Sequence, residues 1–217
     1  MTTTPAPAGA GPATPRSERS VLLGLPVLVA ALTVTVALWA DANDEPIGRF
    51  TRDPNQYYRG GTWTGMLSTL GNSLWVVAAT AALLGAMVAH LRGVDRKGFV
   101  ALGCLSALLH VDDTYLFHDV VLPELGVPEK AVSLAWAAFA GVAVLLALPM
   151  LREHRLLPSI GVAAVGFAVS VLADALDVRT WGENWLFGIE DGAKLVGIAA
   201  WTSALVVATR RTIRATG

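Results

Sequence analysis

Apolar residues occur in six long runs separated by short polar segments, and this alternation predicts the architecture. A membrane-spanning helix needs about 20 mostly apolar residues, because the hydrocarbon core is about 30 Å thick and a helix rises about 1.5 Å per residue. The pattern therefore predicts an all-α polytopic integral membrane protein, built as a six-helix transmembrane domain over residues 20–209. The runs cover residues 20–40, 66–91, 98–122, 131–151, 158–178 and 187–209.

The composition agrees with this pattern and excludes other classes of protein. Hydrophobic residues make up 54% of the 217 residues and charged residues only 15%. A water-soluble globule needs more polar surface, and a disordered chain is rich in charge and poor in apolar residues. The single cysteine, Cys104, excludes an internal disulfide. Basic residues are dispersed along the chain, so we expect the lipid bilayer, and no nucleic acid, as a partner.

The distribution of basic residues predicts the orientation in the plasma membrane. Lysine and arginine concentrate on the cytoplasmic side of membrane proteins. An even number of spans with both termini in the cytoplasm places ten of the sixteen basic residues inside. These ten are Arg16, Arg19, Arg92, Arg96, Lys97, Arg152, Arg155, Arg210, Arg211 and Arg214.

The segments outside the spans are short and polar. Residues 1–19 are rich in Pro, Ala and Thr, which indicates a disordered cytoplasmic tail. Residues 41–65 form the longest loop, predicted to be extracytoplasmic, and residues 210–217 a basic cytoplasmic tail. The first span with Ala40 and Ala42 also fits a cleavable signal peptide. Its apolar run exceeds the 7–15 residues usual there, so we expect a retained anchor.

Tryptophan is concentrated near the predicted outer ends of the spans. The default interpretation is an aromatic belt at the membrane interface, although a Trp-lined outer cavity would give the same pattern. Six of the seven tryptophans have this placement: Trp39, Trp63, Trp75, Trp136, Trp181 and Trp185.

Ionisable residues inside three of the spans are the candidates for function. Charged groups in a bilayer cost several kcal/mol each, so their presence indicates a functional site. Counting about 1.5 Å per residue from the predicted cytoplasmic ends puts these groups at a similar depth, in the outer third of the membrane. We interpret them as a candidate site for a cation or proton. The residues are Asp112, Asp113, Asp174, Glu190, Asp191 and Lys194.

The third span also carries candidate metal ligands. His110 lies three residues before Asp113 and shares its helix face, and His118 follows within the same segment. Imidazole and carboxylate groups together can hold a metal or relay protons. The cofactor is not determined by the sequence, and a divalent metal ion is the candidate.

Three classes of function fit these residues. The leading hypothesis is an outward-facing site that binds a cation or proton for transport, sensing or regulation. The first alternative is a metal-dependent intramembrane hydrolase with zinc held by His and Asp. The second is a structural or assembly subunit, in which the acidic residues are a polar knot between helices and Lys194 forms a local ion pair with Glu190 or Asp191.

Gly188 and Gly192 form a GxxxG motif in the last span. This motif permits close approach of transmembrane helices. It suggests self-association or contact with another membrane protein.

Overall fold

The computed structural model describes residues 16–54, 63–175 and 183–215, and every regular element within them is a helix. The all-α prediction is confirmed. Residues 1–15 of the predicted tail, residues 55–62 of the long loop, residues 176–178 of the fifth predicted span, Trp181 and residues 216–217 lie outside the described residues. The elements are α1 (Arg16–Ala42), α2 (Gly48–Thr51), α3 (Met66–Leu91), α4 (Lys97–Tyr115), a π-helix (Phe117–Val121), α5 (Leu122–Glu124), α6 (Glu129–Glu153), α7 (Leu157–Ala175) and α8 (Glu183–Arg214).

Five of the described helices are long and apolar enough to cross a membrane. The protein is therefore a membrane-embedded helical bundle. Helix α4 is not one of the five, because the polar residues in its last turns lower its mean hydropathy. The five segments are Ser17–Ala42, Met66–Leu91, Lys130–Glu153, Leu157–Asp174 and Trp185–Arg214.

Helix α8 is the centre of the bundle. In its apolar segment 78% of the residues are buried, against 17–44% in the other four candidate spans. It packs against α1, α3 and α7, while α4 lies between α3 and α6. The large apolar side chains that remain exposed on the outer helices are suited to contact with lipid.

Small residues allow the helices to approach closely. A Cβ atom added to Gly166 of α7 would lie 2.9 Å from the backbone of Gly197 in α8. One added to Gly98 of α4 would lie 2.9 Å from the Cα atom of Ala147 in α6. Such contacts replace the hydrophobic driving force that is absent between helices in lipid.

Ion pairs and hydrogen bonds join the ends of several helices at one end of the bundle. Glu18 of α1 is only 2% exposed, and its carboxylate lies 2.9 Å from Arg211 and 3.2 Å from Arg214 of α8. Arg92, which follows α3, donates to the backbone carbonyls of Thr212 and Ile213. We call this the arginine end. The successive long helices α1, α3, α4, α6, α7 and α8 run alternately away from it and towards it.

His154 joins the turn between α6 and α7 to α8 at the arginine end. Its Nε2 atom lies 3.4 Å from the Thr212 hydroxyl, and its backbone carbonyl accepts a hydrogen bond from Arg211. Burial lowers the pKa of His154 below its ordinary value of 6.5. Glu153 opposes this shift, Arg211 adds to it and Glu18 opposes it.

The pKa of His154 predicts how stability depends on pH. The unfolded chain binds more protons than the folded protein below pH 6.5, so stability should fall as the pH drops from 6.5 towards the folded-state pKa. Thermal unfolding in detergent across this range should show a flatter dependence for His154→Gln than for the wild type. The control is His90→Gln, which alters an exposed histidine. An unchanged slope in His154→Gln would show that another group is responsible.

Candidate functional site

The chain breaks out of the α-helix just after the adjacent residues Asp112 and Asp113. Leu116 ends α4 with a φ angle of 53°, in the left-handed region, and its N–H donates to the Asp112 carbonyl. A non-glycine residue adopts this region at a cost, so the surroundings must hold it there. The π-helix Phe117–Val121 follows directly. The continuous segment 98–122 predicted from the sequence is therefore divided at Leu116.

The Asp112 side chain connects the two sides of this break. It is 3% exposed, and its Oδ1 atom accepts hydrogen bonds from the His118 backbone N–H at 3.1 Å and from Trp136 Nε1 at 3.2 Å. Its Oδ2 atom lies 2.5 Å from His118 Nδ1. One buried carboxylate thus joins α4, the π-helix and α6, and these contacts offset the cost of burying it.

Asp113 connects α4 to α3 and α8. Its Oδ2 atom accepts a hydrogen bond from Trp75 Nε1 at 2.8 Å, and its Oδ1 atom one from Lys194 Nζ at 2.7 Å. Trp75 is 2% exposed, whereas the Lys194 side chain is 36% exposed. Trp75 therefore fixes the Asp113 carboxylate from the buried side, and Lys194 contacts it from the accessible side.

Asp112, Asp113 and His118 also form a possible metal-binding group. Each offers a ligand atom, and these atoms all lie within 4.8 Å of one another. Two carboxylates and an imidazole can hold zinc or another divalent metal. Such an ion would compete with Lys194 and Trp75 for Asp113, and with His118 and Trp136 for Asp112.

A cavity of about 410 Å³ lies in front of Asp113. Its wall carries five carboxyl groups, two basic side chains and the His118 imidazole, so acidic groups are in excess. The other lining residues are hydroxyl-bearing or apolar. The lining comprises Thr51, Arg52, Asp53, Leu67, Ser68, Gly71, Asp113, Leu116, His118, Ser133, Phe167, Ser170, Val171, Asp174, Glu190, Asp191, Lys194, Leu195 and Ile198.

The short helix α2 positions one edge of the cavity. Ile47 and Phe50 are 0% and 5% exposed and pack with apolar residues at the end of α1. They hold the following residues 51–53 at the cavity wall. The Arg52 guanidinium lies 3.8 Å from the ring centroid of Phe187 in α8, a cation–π contact.

A known protein family matches most of the chain. The family described as a domain of unknown function (DUF8692) matches residues 23–208. The chain belongs to this family. No curated protein and no solved structure matches the chain. In this DUF8692 protein, the matched range includes every residue of the cavity wall.

The residues predicted to bind a cation or proton lie around this cavity. Five of the six line it, and the sixth, Asp112, is buried next to Asp113 and His118. The Asp174 side chain is exposed, and Glu190 and Asp191 are partly buried. The five lining residues are Asp113, Asp174, Glu190, Asp191 and Lys194.

Two of the three predicted metal ligands lie close together, and the third lies apart from them. His118 and Asp113 belong to the group of close ligand atoms, together with Asp112. His110 is not in that group. Its buried Nδ1 atom has no hydrogen-bond partner among the described residues.

The sequence interpretation missed several residues of the site. The aromatic belt is wrong for Trp75, which is buried and donates to Asp113, while Trp136 donates to Asp112. The signal available in the sequence was that Trp75 and Trp136 lie near the same predicted outer ends of the spans as the acidic residues. Thr51 and the following residues, 52 and 53, were part of the long loop, and no motif marked them.

The glycines of the GxxxG motif have neighbours within the chain. A Cβ atom on Gly188 would meet Ile47 at 3.2 Å, and one on Gly192 would meet Thr33 at 2.7 Å. The two glycines therefore allow α1 and the residue that precedes α2 to approach α8 closely. Self-association through this pair stays a prediction.

Proposed function

We propose that this DUF8692 protein crosses the plasma membrane six times, with both termini in the cytoplasm, and binds a cation or proton in an outward-opening cavity. The arginine end supports this orientation, because Arg92, Arg211 and Arg214 match the basic bias of cytoplasmic segments. The acidic cavity then faces the outside. The burial of Glu18 against α8 supports retention of α1.

Helix α4 is the sixth span in this proposal. Its 19 residues extend over about 28 Å, close to the thickness of the hydrocarbon core. It lies between α3 and α6, two helices that are long and apolar enough to span. The two carboxylates near its end, Asp112 and Asp113, contact Trp75, Trp136 and Lys194 rather than lipid.

The excess of carboxyl groups around the cavity is the observation that carries the proposed function. Five carboxyl groups face the basic side chains of Arg52 and Lys194. A concave site with one predominant charge concentrates ions of the opposite charge. Carboxylate groups within a membrane protein are typical of ion and proton pathways.

The Lys194–Asp113 pair gives the site two states. A cation that enters the cavity competes with the Lys194 ammonium for the Asp113 carboxylate. Protonation of the carboxyl group would release Lys194 in the same way. Cations and protons are therefore expected to compete for one site.

Tryptophan fluorescence and thermal unfolding of the purified chain in detergent test the proposal. A panel of inorganic and organic cations, titrated at constant ionic strength, should include a member that raises the melting temperature saturably. At 100 times its Kd a ligand adds about 2.7 kcal/mol to the free energy of unfolding. Lower pH should weaken the response.

Asp174→Asn should reduce this response, because Asp174 lines the cavity and is exposed. Glu124→Gln is the matched control, since Glu124 is an exposed carboxylate that is not part of the lining. If Asp174→Asn and the wild type respond equally to every cation, and these responses depend equally on pH, the proposed function is refuted.

The cluster of Asp112, Asp113 and His118 favours zinc-dependent hydrolysis as a second candidate function. A bound zinc could activate water for attack on a substrate. Elemental analysis of protein purified without chelators should then find stoichiometric zinc, lost in His118→Ala and retained in His110→Ala. Absence of zinc, or its retention in His118→Ala, would reject this candidate.

A further inference from the structure

We infer that the cavity binds a linear aliphatic diamine, whose primary ammonium groups are joined by a methylene chain. This inference rests on the proposed cation site and specifies its ligand. Four features of the cavity support an organic ammonium over a bare metal ion: its size, the ion pair at Asp113, its apolar surface and the hydroxyl of Thr51.

The first feature is the size of the cavity. Its volume of about 410 Å³ lies in the range of about 300–1,000 Å³ that is typical of sites for small organic molecules. A water molecule in the liquid occupies about 30 Å³, and a dehydrated metal ion needs no more room than that. The cavity therefore has space for a ligand of several non-hydrogen atoms.

The second feature is that Asp113 already binds a primary alkylammonium group. The Lys194 side chain is such a group on a four-carbon stem, and its Nζ atom lies 2.7 Å from Asp113 Oδ1. Trp75 fixes the other carboxylate oxygen at 2.8 Å. The geometry thus suits an ammonium with an attached methylene chain. The exposed fraction of Lys194, 36%, allows a ligand to take its place or to bind beside it.

The four remaining carboxyl groups of the wall lie on three elements. Asp174 belongs to α7, Asp53 follows α2, and Glu190 and Asp191 belong to α8. Because Arg52 stacks on Phe187, one of the two basic side chains is partly engaged elsewhere. A ligand with two ammonium groups can contact carboxylates on two elements at once, whereas a single metal ion needs them converged on one point.

The third feature is an apolar surface between the charged groups. Leu67, Phe167, Leu195 and Ile198 line the same cavity. Ligand sites combine such apolar surface with a few polar groups that fix orientation. Methylene groups gain free energy against this surface, and a metal ion does not.

The fourth feature is an unused hydroxyl group. Thr51 lines the cavity and is only 4% exposed, and its Oγ1 atom has no hydrogen-bond partner among the described residues. Buried polar groups are normally paired. An ammonium N–H of the ligand would supply the missing donor.

The test compares three probes on the full chain in detergent, with tryptophan fluorescence and melting temperature as readouts. They are 1,4-diaminobutane, 1,4-butanediol, which has the same chain without charge, and MgCl₂, which has the same charge without a chain. We expect saturable binding of the diamine alone. Asp174→Asn should weaken it by about 10-fold or more, as loss of a charged hydrogen bond does. Thr51→Val, which keeps the side-chain shape, should weaken it several-fold.

Each other outcome counts against the inference. If Mg²⁺ acts as strongly as the diamine, the cation site stands and the diamine is rejected. If diamine binding is the same in the wild type, Asp174→Asn and the control Glu124→Gln, the ligand binds elsewhere and the inference fails. If no probe and no other cation acts, the inference and the proposed function both fail. Helical content and monodisperse elution of each variant establish that it is folded.

Discussion

Replacing Asp112 by alanine is expected to lower the free energy of unfolding by about 2–5 kcal/mol, because several hydrogen-bond donors lose their common acceptor. The carboxylate is 3% exposed and accepts bonds from the His118 backbone and from Trp136. Without it, two partly buried donors lose their acceptor, and each such loss costs about 1–3 kcal/mol. Titration with a denaturing detergent, followed by far-UV circular dichroism, measures the change.

Two further variants make this prediction specific. Asp112→Asn keeps one carbonyl oxygen as an acceptor and should lose less stability than the alanine variant. Asp174→Ala removes an exposed carboxylate from the cavity wall and should change stability by less than about 0.5 kcal/mol. If Asp112→Ala and Asp174→Ala were equally stable, Asp112 would not hold the break in α4.

The second large effect is expected at the pair of Lys194 and Asp113. Lys194→Met should destabilise the protein by about 1–3 kcal/mol, because Asp113 then keeps a single donor, Trp75, among the residues that the structure describes. Adding Asp113→Asn removes the unpaired charge. The double variant should therefore be more stable than the sum of the single effects predicts, by about 0.5–3 kcal/mol.

The pair of Arg49 and Glu45 provides a matched control. Its nitrogen and oxygen are also 2.7 Å apart, but its carboxylate, Glu45, is 35% exposed, against 14% for Asp113. Exposed pairs contribute about 0–1 kcal/mol. The effects of the single substitutions at Arg49 and Glu45 on stability should therefore be close to additive in the double variant, which completes the corresponding double-mutant cycle. Equal coupling energies in the two cycles would show that Lys194–Asp113 is an ordinary surface pair.

Much of the fold and part of the site follow from periodicity and depth alone. A helix occurs at each apolar run, because in lipid the backbone can satisfy its hydrogen bonds only in a helix or a closed barrel. Counting residues along three helices placed Asp113, Asp174 and Lys194 at one level, and all three line the cavity. This succeeded because the rise per residue hardly varies between helices.

Rotation about the helix axes and breaks in the helices could not be predicted in the same way. An unbroken helix puts His110 on the face of Asp113, whereas the turn at Leu116 brings His118 to Asp112 instead. That turn depends on contacts from other helices, above all Trp136. Likewise, which carboxylate pairs with Lys194 depends on how α8 is rotated, and neither depth nor spacing along the helix selects it.

The central position of α8 has a consequence for biogenesis. Of the five candidate spans it is the least hydrophobic and has the largest buried fraction. Because Glu190, Asp191 and Lys194 oppose partition into lipid, we expect α8 to insert poorly by itself. It is synthesised after the helices that it packs against, α1, α3 and α7. Its polar residues can therefore enter the membrane against partners that are already in place, and we expect the acidic cavity to form only once α8 has inserted.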